Sequence, residues 1–244
     1  MFTWVAFAAG LVRGYSGFGF AMLLALGLLT RLPPAQVVPV ALMLDLACSI
    51  TLWPAALRNF HVPIGTRLVC GMVLAVPLGA WLLRLIPATW MTPIIALLCL
   101  LGGLLVLYRP PAVTGGGPNK LGAWSAGLAS GLAMTMASAG GPPLILYLLR
   151  SGLSAAHLRG TAVLFFVASS SCALFGLWLF GVVGRDHLAL AVSLLLPALV
   201  GNLAGQVLHR YWRPFPMRIV VGVILVLTSG VMLWRSLARL GGTA

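Results

Sequence analysis

Few residues inside the apolar body of this chain could do chemistry, and they fall in three places. One is Arg13-Gly14-Tyr15-Ser16-Gly17-Phe18-Gly19, an arginine and three glycines in the middle of an apolar stretch. Another is Asp45, an acid near the middle of the next apolar segment. The third is Ser138-Ala139-Gly140-Gly141-Pro142-Pro143, a second glycine cluster closed by two prolines that lack backbone N–H donors. Glycine breaks between half-helices expose backbone N–H groups, and helix N-termini carry partial positive charge. Such a site suits a small oxyanion. Gly17, Gly19, Gly140 and Gly141 are the candidate amide donors, with Ser16 and Ser138 as hydroxyl donors. The competing reading is a tight bend with no ligand.

A charge buried at membrane depth costs at least about 2.5 kcal/mol and marks a functional candidate. Arg13 could pair with two oxygens of an anion, or its long stem could carry the charge to an interface. Asp45 could carry a coupling proton, or simply neutralise Arg13. Asn202 and Gln206 lie one helical turn apart and could face the same cavity, so Asn202 joins the candidate substrate-binding set. Interhelical hydrogen bonding is the simpler account of that pair. His61, His157, His187 and His209 fall near segment ends, where interfacial solvation explains them. No metal-ligand spacing occurs and no cofactor motif is present.

The elements that must position these residues are membrane helices. The chain is 61% hydrophobic and 7% charged, with a mean hydropathy of +1.10, where a soluble domain carries roughly 25% charged residues. The net charge of +13 comes from fifteen basic and two acidic residues. In a soluble protein that excess would suggest nucleic acid. Here the basic residues punctuate apolar segments, which is the mark of membrane topology, and no nucleic-acid partner is expected. The four cysteines, Cys48, Cys70, Cys99 and Cys172, lie inside apolar segments without a CxxC pair and read as buried packing. The first ten residues lack the basic region of a signal peptide.

The expected fold is all-α and polytopic, with about eight apolar helical segments near 4–29, 35–57, 63–84, 89–108, 121–149, 157–182, 188–208 and 215–236. The whole chain, 1–244, forms one transporter domain in two halves, 1–109 and 121–244, joined by a Pro/Gly-rich linker over 110–120. The halves resemble each other. Ala9-Gly10-Leu11-Val12-Arg13-Gly14 aligns with Ala126-Gly127-Leu128-Ala129-Ser130-Gly131, and Arg84 with Pro87 echoes Arg210 with Pro214. GxxxG spacings at Gly10/Gly14, Gly127/Gly131 and Gly201/Gly205 suit close helix packing. The first segment of each half holds a glycine break and is expected to be broken or re-entrant.

Charge counting bears on the arrangement. If all eight segments cross, the basic residues other than Arg13 divide evenly between the two sides. If the first and fifth fold back, one side carries Arg58, Arg67, Arg109, Lys120, Arg150, Arg159, Arg210, Arg213 and Arg218, and the other only Arg31, Arg84, Arg185, Arg235 and Arg239. The positive-inside rule then makes the richer side cytoplasmic. Three full crossings per half, an odd number, make the second half inverted relative to the first.

The glycine signature at Arg13–Gly19, followed in the second half by Gly140-Gly141-Pro142-Pro143-Leu144-Ile145-Leu146-Tyr147, resembles the TauE/SafE sulfite exporter family of membrane permeases. The resemblance covers essentially the whole chain. It implies a multi-pass protein of the bacterial cytoplasmic membrane that moves sulfite, sulfonates or related organosulfur anions. The partners it implies are a small anionic substrate and the lipid bilayer, with the oligomeric state, a homo-oligomer included, left open. The chain departs from the family pattern where the second signature usually reads Gly-x-Gly-Gly-Pro-Pro, because Ser138 holds the first glycine's place.

Two other classes compete. An anion channel would use the same loops as a filter without coupling. An intramembrane serine hydrolase would use Ser16, since Gly14-Tyr15-Ser16-Gly17 matches the GxSG pattern of rhomboid proteases. That chemistry needs a base within hydrogen-bond reach, and no histidine lies mid-segment to supply it. No catalytic residue is therefore assigned.

Overall fold

Glycine and proline decide where the apolar segments of this chain break into helices. The computed structural model describes residues 2–108, 119–211 and 217–241. Among them are eleven helices and no strand: α1 (Phe2–Ser16), α2 (Phe20–Leu28), α3 (Pro34–Ile50), α4 (Trp53–Leu57), α5 (Val62–Leu85), α6 (Ala88–Leu107), α7 (Lys120–Ala137), α8 (Gly141–Arg150), α9 (Ala155–Leu179), α10 (Arg185–Tyr211) and α11 (Met217–Gly241). Arg109, Arg213, Pro214 and residues 110–118 of the expected linker lie outside the described residues. Prolines open α3, α4, α5 and α8, where a missing N–H costs nothing. Asn119 and Ser154 cap α7 and α9 by accepting backbone N–H groups of Leu121 and His157.

Five helices, α5, α6, α9, α10 and α11, are long and apolar enough to cross a membrane, and α3 is a shorter apolar helix. The first and fifth apolar segments each split into two shorter helices. In both, the second arm doubles back along the first. A Cβ on Gly27 of α2 would press into Val5 of α1 at 2.3 Å. Tyr147 of α8 donates its hydroxyl hydrogen to Asn119 O at the start of α7, at 3.2 Å. Each pair is thus a hairpin with its glycine break at the tip.

Helices before residue 109 pack against helices after residue 119. α1 runs parallel to α10, with Gly10 against Ala198 and Asn202 and Gly14 against Asn202 and Gln206. A Cβ on Gly14 would stand 1.9 Å from Asn202 O, so only glycine permits this approach. α5 runs parallel to α7 in the same way, with Gly127 on Leu68 and Gly131 on Met72. α6 is antiparallel to α11, since Gly103 meets Leu225 and Val226 while Gly222 meets Leu107. α3 is antiparallel to α9. Asp45 reaches Ser170 on α9, and beyond the end of α3 the chain meets the start of α9, with Asn59 against Gly160 and His61 N–H donating to Thr161 Oγ1.

These directions sort the basic residues. The starts of α5, α7 and α9 share one end of the bundle with Arg58, Arg67, Lys120, Arg150, Arg159 and Arg210. The starts of α3 and α10 share the other end with Arg31, Arg84, Arg185 and Arg235. The outer faces are apolar and exposed, as at Leu196 and Leu203 on α10 and Leu227 on α11, the reverse of a soluble protein. Among the cysteines, Cys48 and Cys99 are buried as expected, Cys172 is half-buried on α9, and Cys70 is exposed on α5. It stands on an outer face of the kind lipid covers, so position in an apolar segment did not ensure burial.

Candidate functional site

Arg13 lies in the last turn of α1, one turn before the chain breaks. Its Nη1 donates to Asp45 Oδ1 at 2.5 Å, and each side chain is only 1% exposed. Its Nη2 donates to Ser49 Oγ on α3, which in turn donates to Asp45 O at 2.6 Å. Ser170 of α9 donates to the second carboxylate oxygen, Oδ2, at 2.8 Å. The Arg13 guanidinium carbon stands 5.3 Å from the centre of the Phe166 ring, in cation–π range. Either charge alone at this depth would be strongly destabilising, and the pair with its two serines offsets that cost. Arg13 Nε remains buried without a hydrogen-bond partner.

The break after α1 depends on glycine. Gly17 and Gly19 hold φ of +83° and +89°, a region that costs other L-residues about 1–2 kcal/mol. The Ser16 hydroxyl is engaged locally: it lies 2.7 Å from Val12 O and 2.8 Å from Phe18 O, and accepts from Phe18 N–H. The break after α7 is built differently. Ser138 occupies the left-handed position at φ 54°, the one non-glycine among the described residues to do so. Its backbone N–H closes α7 on Met134 O at 2.9 Å, while its Oγ is buried without a partner. Gly140 presses on Ser130 O, and Gly141 opens α8 beside the Phe166 ring.

The two breaks meet. A cavity of about 10 Å³, room for about one water, is lined by Arg13, Gly19, Asp45, Ser138, Gly141 and Phe166, together with Ala21, Met22 and Met134. The structure therefore brings together five of the sequence candidates: Arg13, Gly19, Asp45, Ser138 and Gly141. The others stand outside the lining. Ser16 is tied to backbone carbonyls, Gly17 faces Arg159, and Gly140 packs on α7. Asn202 lies on α10 and donates to Cys48 O at 3.2 Å and Thr51 Oγ1 at 2.9 Å, with Gln206 Nε2 donating to the same Thr51 hydroxyl. That is the interhelical bonding weighed as the alternative for this pair. Among the described residues no cluster of three metal-ligating side chains occurs.

Sequence reading missed Ser49, Phe166 and Ser170 as parts of this site. The run Ser169-Ser170-Ser171 in a long apolar segment was a usable signal for Ser170. Phe166 carries no such mark, because an aromatic in an apolar helix is ordinary. Arg159 was counted only as a segment-edge charge. Its Nη2 donates to Gly14 O at 3.3 Å, and its stem lies over Gly17.

Two hairpins tip to tip around a buried ion pair, among helices able to cross a membrane, define a polytopic membrane protein with an enclosed polar centre. The family model described as Sulfite exporter TauE/SafE matches residues 2–232. The chain belongs to this family of membrane transporters, which export sulfite or related anions. Comparison with curated proteins and with solved structures gave no match.

Proposed function

We propose that the protein is a secondary transporter that carries sulfite or an organosulfonate across the bacterial cytoplasmic membrane, and that the anion is held between the two glycine breaks. The observation that carries this reading is a cavity lined by Arg13, Gly19 and Asp45 from the first glycine break and its neighbour α3, and by Ser138 and Gly141 from the second break. The free Ser138 hydroxyl, the unpartnered Arg13 Nε and the N-terminus of α8 at Gly141 all supply donors for an oxyanion.

The cavity is too small for a four-heavy-atom anion, which corresponds to a closed state. In this reading Arg13 cannot serve Asp45 and an anion fully at once. Protonation of Asp45 would release the guanidinium, so an anion and a proton load together. Loss of the proton would restore the ion pair and expel the anion. That exchange couples transport to a proton gradient and distinguishes the reading from an uncoupled channel.

The proposed architecture is an inverted repeat of halves 1–109 and 121–244 within one domain. The reciprocal pairing of α1 with α10 and of α7 with α5 supports it. So does the antiparallel pairing of the equivalent helices α6 and α11. Each half would then contribute three crossing helices and one re-entrant hairpin, with the end bearing Arg58, Arg67 and Lys120 in the cytoplasm.

The test is counterflow of labelled sulfite into proteoliposomes, with taurine, sulfoacetate and sulfate as competitors. Uptake of sulfite, or its competition by a sulfonate, is expected. If none is carried and none competes, the cargo assignment fails.

A further inference from the structure

Arg159 is a half-buried cation that the site described above does not use. It sits five residues into α9, over the outside of the first break. A Cβ on Gly17 would touch its Cγ and Nε at 3.8 Å, and its Nη2 donates to Gly14 O at a long 3.3 Å. One neutral carbonyl is a poor match for a guanidinium with five N–H donors. The rest of the chain has little to offer, because it contains two acids. Asp45 is held by Arg13 and Ser170. Asp186 lies in the first turn of α10, at the opposite end of the bundle from the start of α9. Among the described residues no carboxylate comes within ion-pair distance of Arg159. Of the basic residues at that end, Arg58, Lys120, Arg150 and Arg210 are exposed, and Arg67 is half-buried beside Tyr147, away from both breaks. Arg159 is drawn inward instead.

What it is drawn toward is the hairpin tip. One side of that tip, at Gly19 and Arg13, lines the cavity, and the other side carries Arg159. The second break has a different surround: Gly140 meets Ser130 and Met134, and Gly141 meets Phe166. The cationic cover is one-sided, on the end of the bundle where the basic residues gather.

We infer that Arg159 forms a second, outer anion site, a vestibule that receives a sulfite or sulfonate between the charge-rich end of the bundle and the Arg13 cavity. This rests on the transporter reading above. The anion displaces the weak bond to Gly14 O, pairs with the Arg159 guanidinium, and passes around the tip to Arg13. Arg159 thus governs capture, while Arg13 and Asp45 govern the exchange itself.

The alternative is a brace that merely ties α9 to the hairpin, and Arg159→Gln separates the two. Glutamine keeps an N–H donor for Gly14 O and removes the charge. We expect R159Q to raise the KM for sulfite about tenfold or more, the loss of one charge-assisted contact, with Vmax and thermal stability close to wild type. R159K should recover most of the affinity. The wild-type KM should rise with ionic strength and that slope should flatten in R159Q, because a half-exposed charge is screened by salt. A wild type that transports, with R159Q matching its KM across the salt series, overturns this inference and leaves the transporter reading standing. A loss in R159Q that follows a fall in thermal stability, and that R159K does not recover, also overturns it in favour of the brace. A wild type that neither transports nor is thermally stabilised by sulfite, taurine or sulfoacetate overturns both.

Discussion

Arg13 and Asp45, one on each of two helices, bind each other at 2.5 Å with almost no exposure of either side chain. Each is the other's charge partner, and both line the cavity where the two breaks meet. Removing one member of such a pair leaves an uncompensated charge, at a cost of about 3–5 kcal/mol. Asp45→Asn and Arg13→Met should therefore each lower the melting temperature in detergent sharply. The double variant Arg13→Met/Asp45→Leu should recover much of that loss, because the two effects are coupled rather than additive. Transport should stay absent in the double variant. A double variant no more stable than the singles would show that the pair is not an energetic unit.

Coupling gives a second expectation for Asp45. Asparagine resembles a protonated aspartate and leaves Arg13 open to an anion. In proteoliposomes D45N should lose accumulation of sulfite driven by a proton gradient while keeping exchange of internal for external anion. Accumulation at wild-type levels in D45N would remove Asp45 from the coupling step.

Ser138 separates strain from hydrogen bonding. Its left-handed backbone suits glycine, and its hydroxyl is buried without a partner. Ser138→Ala and Ser138→Gly both delete the hydroxyl, but only glycine relieves the backbone. The glycine variant should be more stable than the alanine variant by about 1 kcal/mol. Both should weaken anion affinity to a similar degree. Unchanged KM in both variants would exclude the hydroxyl from binding.

Asn202 should behave as a structural residue. Asn202→Ala removes donors to Cys48 O and Thr51 Oγ1, so stability should fall by about 1–2 kcal/mol. The KM for the anion should not move, because Asn202 lies outside the cavity lining. A KM increase with full stability would return it to the binding set.

The α1–α10 contact offers a steric test with its own control. Gly14→Ala places a methyl on the backbone of Asn202 and should destabilise by about 1–3 kcal/mol or more. Gly230 in α11 has nothing within 4 Å of a built Cβ, and Gly230→Ala should be neutral or stabilising by up to about 1 kcal/mol. Thermal melting of the two variants side by side checks both.

What could be read in the sequence was what backbone chemistry dictates. Gly17 and Gly19, and Gly140 with the prolines after it, interrupt helices wherever the chain later packs, so both breaks were legible. The Arg13–Asp45 pairing was legible as an option because so few charges lie inside apolar segments. The split of the second segment into α3 and α4 was not, since the backbone turns at Thr51-Leu52 without a glycine or proline at the bend itself. Asn202 was named for the cavity because Asn202 and Gln206 share a helix face, but spacing alone could not say which neighbour that face meets. Arg159 looked like any segment-edge charge, because only the tertiary path of the first hairpin brings Gly14 and Gly17 beneath it.

A central void with room for about one water has a consequence for the idle cell. A proton or small ion crossing between the tips would have to pass this narrow void, so the joined tips act as an insulating plug. Insulation of this kind depends on the grip between the two hairpin tips. Substitutions that loosen the tips should reveal themselves first as a leak of current, before any change in cargo.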